Sequence, residues 1–228
     1  MFDLHKYNYY NYKYALIGLS LLVLSIIVIS MKSEKQDFTP VSKAKELRNM
    51  SQNAISVGEK LTYSAKYGVF EAGQATVEIK NTSKSVWDRE LIHAVGTGKT
   101  NSTLDMFFKV RDRYETYMDK KGVFPWFFIR RVNEGGYIIN QDYTFHQKKN
   151  LVNTKRTGTK EKRNGTGEFK VPNNVQDVFS SFYYARTFDY SKAEKGDIYK
   201  VKCFLDEELY PIGIKYIGKD TVEVSAGT

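Results

Sequence analysis

The chain has 228 residues, a formal charge of +9, 41% hydrophobic residues and a single cysteine, Cys203. That length and mix suit one globular domain with a real apolar core and a short appendage, and exclude both a disordered chain and an intrachain disulfide. The charge implies attraction to polyanions or anionic lipid without dictating a fold. Seventeen tyrosines and fourteen phenylalanines lean the domain towards β structure, because these rings suit pleated, half-buried surfaces.

At the N-terminus, Ala15 to Met31 runs seventeen residues without a charge. As a helix it is about 26 Å long, short against a hydrocarbon core of about 30 Å but within range. Tyr7, Tyr9, Tyr10, Tyr12 and Tyr14 precede it, as suits residues at a membrane interface. The nearest substitute for an Ala-x-Ala cleavage site is Val28-Ile29-Ser30, and no cysteine follows for lipidation. Lys6 and Lys13 lie before the segment, and Lys32, Lys35, Lys43 and Lys45 after it, so positive charge alone does not favour a cytoplasmic N-terminus. Short N-terminal segments of this kind act as export signals. The expected organisation is therefore residues 1–31 as a membrane anchor or signal segment, 32–57 as a polar linker with one short helix at Val41–Met50, and 58–228 as a β-rich domain outside the cytoplasm.

From Gly58 the apolar pattern has period two. Leu61, Tyr63, Ala65 and Tyr67 form one half of a predicted hairpin and Ala75, Val77 and Ile79 the other, with Gly73 as turn glycine. Further strands are expected at Leu91–Thr97 and Val110–Met118, on both sides of Gly135-Gly136, and at Leu151–Thr157, Gly167–Val171, Tyr199–Leu205, Tyr210–Tyr216 and Thr221–Val224. Phe124 to Ile129 is apolar on both strand faces, as in a strand buried on both sides or one lining a pocket. One segment breaks the rhythm: Val175, Val178, Phe179, Phe182 and Ala185 make a helical face, with Asn173 or Asn174 as N-cap and an end near Arg186. The fold expected is mainly β: a curved antiparallel sheet or open half-barrel with one helix packed on its concave face.

No motif carries catalytic chemistry with useful specificity. Gly96-Thr97-Gly98-Lys99-Thr100 resembles the end of a phosphate-binding loop, but His93 stands where that loop needs a glycine, and no long helix follows. The reading preferred is a strand end and turn. His5, His93, His146 and Cys203 share no metal-ligand spacing, and Cys203 is in register with core positions. No cofactor or metal is expected. Glu59, Glu71, Asp88, Asp112, Glu115 and Asp177 offer carboxylates for acid–base work, and nothing singles out a pair. Asp112 shares a strand face with Val110, Tyr114 and Met118, so it needs a partner, sought in Arg111, Arg113 or Arg130. Lys148 to Arg163 holds seven basic residues, one acid and no aromatic residue. Nucleic-acid binding wants interleaved rings, so a solvated hairpin tip is preferred, then contact with anionic lipid or envelope glycan.

Several segments together are familiar. Gly58-Glu59-Lys60-Leu61-Thr62-Tyr63, Tyr67-Gly68 and Ala72-Gly73-Gln74-Ala75, then Val110-Arg111-Asp112-Arg113-Tyr114-Glu115-Thr116-Tyr117, then Val171-Pro172, Val175-Gln176-Asp177-Val178 and Ser180-Ser181-Phe182-Tyr183-Tyr184-Ala185-Arg186 resemble the bacterial exported family known as domain of unknown function 3108. The likeness spans about residues 57–228. It implies a curved antiparallel sheet akin to the lipoprotein-carrier half-barrels, and no established activity or catalytic residue. Asn174 stands where members often carry cysteine. Members also continue with further strands beyond the Val-Glu-Val-Ser-Ala-Gly stretch, which suggests a chain incomplete at its C-terminus.

The function expected is non-enzymatic binding of a hydrophobic or amphiphilic ligand in the envelope, anchored at the inner membrane or secreted into the periplasm, with Trp126, Phe128, Tyr143 and Phe145 as ligand lining. A cavity for it between helix and sheet needs more than about 300 Å³. The alternatives are an envelope scaffold acting through protein contacts, marked by a filled core and an exposed apolar patch or sheet edge, and a polysaccharide hydrolase with two carboxylates about 5–10 Å apart in an open cleft.

Overall fold

The computed structural model describes residues 46–67, 70–159 and 164–221. The Ala15–Met31 segment, most of the linker, part of the basic loop and all but Thr221 of the expected last strand lie outside them. Among the described residues no helix is long and apolar enough to cross a membrane.

The domain is mainly β. Strands β1 (Lys60–Tyr67), β2 (Phe70–Lys80), β3 (Ser85–Val86), β4 (Arg89–Thr100), β5 (Arg111–Asp119), β6 (Pro125–Glu134), β7 (Tyr137–His146), β8 (Leu151–Gly158) and β9 (Gly165–Lys170) form one nine-stranded antiparallel sheet. The order is that of the sequence, β1-β2-β4-β5-β6-β7-β8-β9, with β3 paired only to β4. A short helix, α1 (Ser102–Asp105), joins β4 to β5. After β9 come α2 (Val178–Ala185) and a separate hairpin of β10 (Ile198–Leu205) and β11 (Glu208–Lys215).

Period-two alternation becomes two faces of one sheet. One face carries Ile79, Ile92, Ala94, Met118, Phe128, Tyr143, Phe145 and Val152, and packs against Val178, Phe179 and Tyr183 of α2 and Val201 and Phe204 of β10. The other holds a smaller cluster of Leu47, Leu91, Phe124 and Trp126. The apolar run through β6 therefore serves both clusters, although Phe127 and Ile129, which alternate with Phe128, are only half-buried.

Four local expectations are corrected. Gly73 lies inside β2, opposite Thr100 of β4, where a Cβ would stand 2.4 Å from the Lys99 carbonyl oxygen, so its need is close backbone approach and not a turn. Residues 46–50 of the predicted Val41–Met50 helix are not helical, and Leu47 is instead buried against Trp126. Gly96 to Thr100 is strand throughout, with no turn inside it, while the strand ends at Thr100 and is followed by a helix of only four residues, both as expected. The cap of α2 is Asp177, not Asn173 or Asn174. Asn174 sits at φ +53° in the left-handed region, which cannot open a helix, and its Oδ1 accepts from the Arg48 backbone.

Candidate functional site

The pairings of β4 to β8 align side chains in rows across the helix-facing side of the sheet. One row is Ala94, Thr116, Phe128, Tyr143 and Thr154. The next, towards the Gly135-Gly136 turn, is Gly96, Tyr114, Arg130, Gln141 and Arg156. Beyond it stand Asp112 and Glu134, both buried. Along the strands this face thus changes from aromatic to charged within a few residues, which an ordinary core face does not do.

The aromatic half is closed. Asp177 is fully buried, and its Oδ1 accepts from the Phe179 and Ser180 backbone amides, both at 2.7 Å, capping α2. Its Oδ2 accepts from the Thr116 hydroxyl at 2.6 Å, so the cap also fastens the helix to β5. Burial pushes the Asp177 carboxyl up to about 6 in spite of these donors. Phe179 lies over Gly96: a Cβ there would be 2.9 Å from the ring. Phe204 of β10 packs on Tyr143, Phe145 and Phe169 with ring centroids 5.6, 6.4 and 5.6 Å away. These side chains fill the interval between α2 and the sheet. Cys203 is buried beside them, and burial pushes its thiol up, as expected of a core cysteine.

The charged half is capped by the tip of the β10–β11 hairpin, a two-residue turn of Asp206 and Glu207. Asp206 accepts from Gln141 Nε2 at 2.8 Å and faces Arg130 Nη1 at 3.3 Å. Glu207 accepts from the Thr154 hydroxyl at 3.0 Å and pairs with Arg156 at 3.2 Å. The Arg130 side chain is 14% exposed, and its buried Nε has no hydrogen-bond partner among the described residues. A small open cleft of about 50 Å³ lies beside the tip, lined among others by Tyr137, Ile138, Ile139, Gln141, Arg156 and Asp206.

Asp112 does not pair with the arginines sought for it. Arg111 is held by Asp105, Arg113 by Glu115 and Arg130 by Asp206. Asp112 instead accepts from the Asn133 backbone at 3.1 Å and lies against Glu134. Burial, and then the negative charge of Glu134, push it up to about 7. A carboxyl that keeps its proton at such pH shares a hydrogen bond with its neighbour without two buried charges. The pair is buried and adjacent, with no gap for a sugar between its members. His93 contacts Glu115 at 2.6 Å and stacks on Tyr117 on the opposite face, and among the described residues no group of three metal-ligating side chains occurs.

Of the four aromatic residues expected to line a ligand site, Phe128, Tyr143 and Phe145 share the helix-facing cluster. Trp126 belongs to the other cluster, where its indole donates to Asp119 at 3.2 Å. None of the four lines the cleft. Gln141, Arg156, Asp206 and Glu207 were missed. The alternation Ile139, Gln141, Tyr143 was the available signal for Gln141, whereas nothing local marks Asp206 and Glu207 as reaching β7 and β8.

A family model described as "Protein of unknown function (DUF3108)" matches residues 62–228, and the chain belongs to that family. No curated protein and no solved structure matches it.

Proposed function

We propose that this member of the DUF3108 family is a non-enzymatic protein of the cell envelope that binds an amphiphilic ligand on the helix-facing side of β5 to β8. The observation that carries the reading is the change along that face from Phe128 and Tyr143 to Arg130, Gln141 and Arg156, a surface with one side for a hydrocarbon and another for a polar head. We read the sheet as a curved half-barrel, of which α2 closes one part for good and the β10–β11 hairpin covers the rest. The ligand then lies to the side of the helix, under or beside the hairpin, because the helix–sheet interval is already filled. The uncharged run Ala15–Met31 supports a place at the membrane, with the domain on the periplasmic side.

Native mass spectrometry of the full chain, taken from membranes into a neutral detergent, tests this. An adduct of one lipid-sized mass is expected, lost when Tyr143→Ala and Arg130→Gln are combined. Complete absence of adducts in the parent protein sinks the reading.

A second reading, a scaffold acting through protein contacts, is favoured by one observation. Met106 and Phe107, between α1 and β5, are 83% and 81% exposed.

A further inference from the structure

The tip of the β10–β11 hairpin has an unusual composition for its geometry. Asp206 and Glu207 sit at φ +49° and +69°. Two-residue hairpin turns with both central residues left-handed favour Asn-Gly or Asp-Gly, because a Cβ is strained there. Glu207 bears that strain, and its carboxylate meets Arg156 and Thr154 while Asp206 meets Arg130 and Gln141. The two carboxylates are thus aimed at an arginine pair from a separate hairpin that the main sheet does not hold as a ladder strand. Their fit is incomplete. Arg130 reaches Asp206 only at 3.3 Å, near the limit for a hydrogen bond, and its buried Nε has no partner among the described residues. A guanidinium with an unused inner donor is a place for an oxyanion that approaches more closely or bidentately.

We propose that Arg130, Gln141, Thr154 and Arg156 form a carboxylate subsite, and that Asp206 and Glu207 occupy it as built-in stand-ins until the carboxylate head of an amphiphile displaces them. This rests on the binding reading above and deepens it by naming the headgroup and the element that gives way. Entry begins at the cleft beside the tip, whose lining includes Arg156, Gln141 and Asp206, with Ile138 and Ile139 as apolar surface for the start of a chain. Displacement of the tip opens the way to the edge of the aromatic rows, where Phe204, held to Gln176 by its backbone amide, packs on Tyr143 and Phe145, and the tail follows the head to that edge. The helix stays fixed, since its attachments through Asp177 and Thr116 are independent of the tip.

The test is hydrogen exchange on the full chain in phosphatidylcholine nanodiscs, titrated with dodecanoate, dodecyl maltoside or acetate. Amides of residues 137–158 and 198–215 are read separately, which sets aside any binding to residues 1–45. Dodecanoate is expected to speed exchange at the hairpin tip and to slow it in β7 and β8, while dodecyl maltoside and acetate act at least tenfold more weakly. The variant Asp206→Asn with Glu207→Gly keeps the turn in its favoured composition and removes both carboxylates. It is expected to bind dodecanoate at least tenfold more tightly than the parent. Equal affinity of parent and variant overturns the stand-in role and leaves the binding reading in place. Equal action of acetate or dodecyl maltoside overturns the carboxylate-amphiphile assignment. No protection of β7 and β8 by any amphiphile, in parent or variant, overturns the binding reading itself.

Discussion

Arg186 grips Glu59 with two hydrogen bonds of 2.6 and 2.7 Å, joining the residue after α2 to the residue before β1 across 127 positions of sequence. Its Nη2 also donates to the Ala54 carbonyl at 2.7 Å. The two residues belong to the opening segment and the helix segment that resemble the family, so two stretches far apart in sequence meet in one clamp. A planar guanidinium satisfies three acceptors here, and a lysine ammonium cannot reproduce the fork. Arg186→Lys is expected to lower stability by about 1–2 kcal/mol in urea unfolding. Restoration of full stability by lysine would show that charge alone matters.

The Thr116–Asp177 bond is a second clamp, from β5 to the cap of α2. Thr116→Val leaves shape intact and removes the donor, at a cost of about 1–3 kcal/mol for an acceptor left buried. Asp177→Ala also removes the acceptor of two helix amides and is expected to cost more, with about 1 kcal/mol from the cap alone. In a double-mutant cycle the two substitutions should be coupled by at least about 0.5 kcal/mol. Strict additivity would mean that the helix is held by its aromatic contacts and not by this bond.

The strands were legible because one face of each is buried, which writes period two into Ala75, Val77 and Ile79 and into Tyr114, Thr116 and Met118. The helix face was legible too, but its start was not. Asn173 and Asn174 have good capping side chains, and only the left-handed backbone at Asn174 disqualifies it. The charged half of the site was half legible. Arg130 alternates with Phe128 and Val132 and so had to share their face, whereas its partner Asp206 lies 76 positions away in a turn that no turn dipeptide announces. Asp112 was read as one half of an ion pair because burial of a lone carboxylate is costly. The structure meets that cost with a neighbouring carboxyl, an answer that depends on which strands pair.

Asp112 makes stability depend on pH in a definite direction. Its folded-state value, about 7, lies above the ordinary 3.8, so between the two the folded chain keeps a proton that the unfolded chain has lost. Stability from this group is full below about 4 and is lost as pH rises through about 7. Asp177, raised to about 6, acts in the same sense over a lower window. The urea midpoint is expected to fall between pH 5.5 and pH 7.5. Asp112→Asn should remove most of the part above pH 6 and leave the part that belongs to Asp177. An unchanged slope in the variant would show that Asp112 is ionised throughout.

Gly96 tests how closely α2 is pressed onto the sheet. A methyl there would meet the Phe179 ring at 2.9 Å, closer than carbon atoms approach, and Phe179 has little freedom to withdraw because its own amide donates to Asp177. Gly96→Ala should therefore cost about 1–3 kcal/mol although alanine suits a strand no worse than glycine. Adding Phe179→Leu should recover part of the loss, since the smaller side chain frees the space. If the single variant is neutral, the helix can lift from β4 without penalty.

The exposed Met106-Phe107 pair separates the scaffold reading from the ligand reading. Both side chains lie almost wholly in water beside α1, so they contribute little to the core, and Met106→Ser with Phe107→Ser should change stability by less than about 0.5 kcal/mol. The same variant leaves the β5 to β8 face untouched and should bind an amphiphile as the parent does. If the protein works through protein contacts at this point, a photo-crosslinker placed at residue 107 in intact cells should give a discrete adduct, and the serine pair should abolish the cellular effect of the gene while the chain stays folded. If no adduct forms and the serine variant functions as the parent does, the scaffold reading at this surface fails, and the weight moves to Arg130 and Arg156.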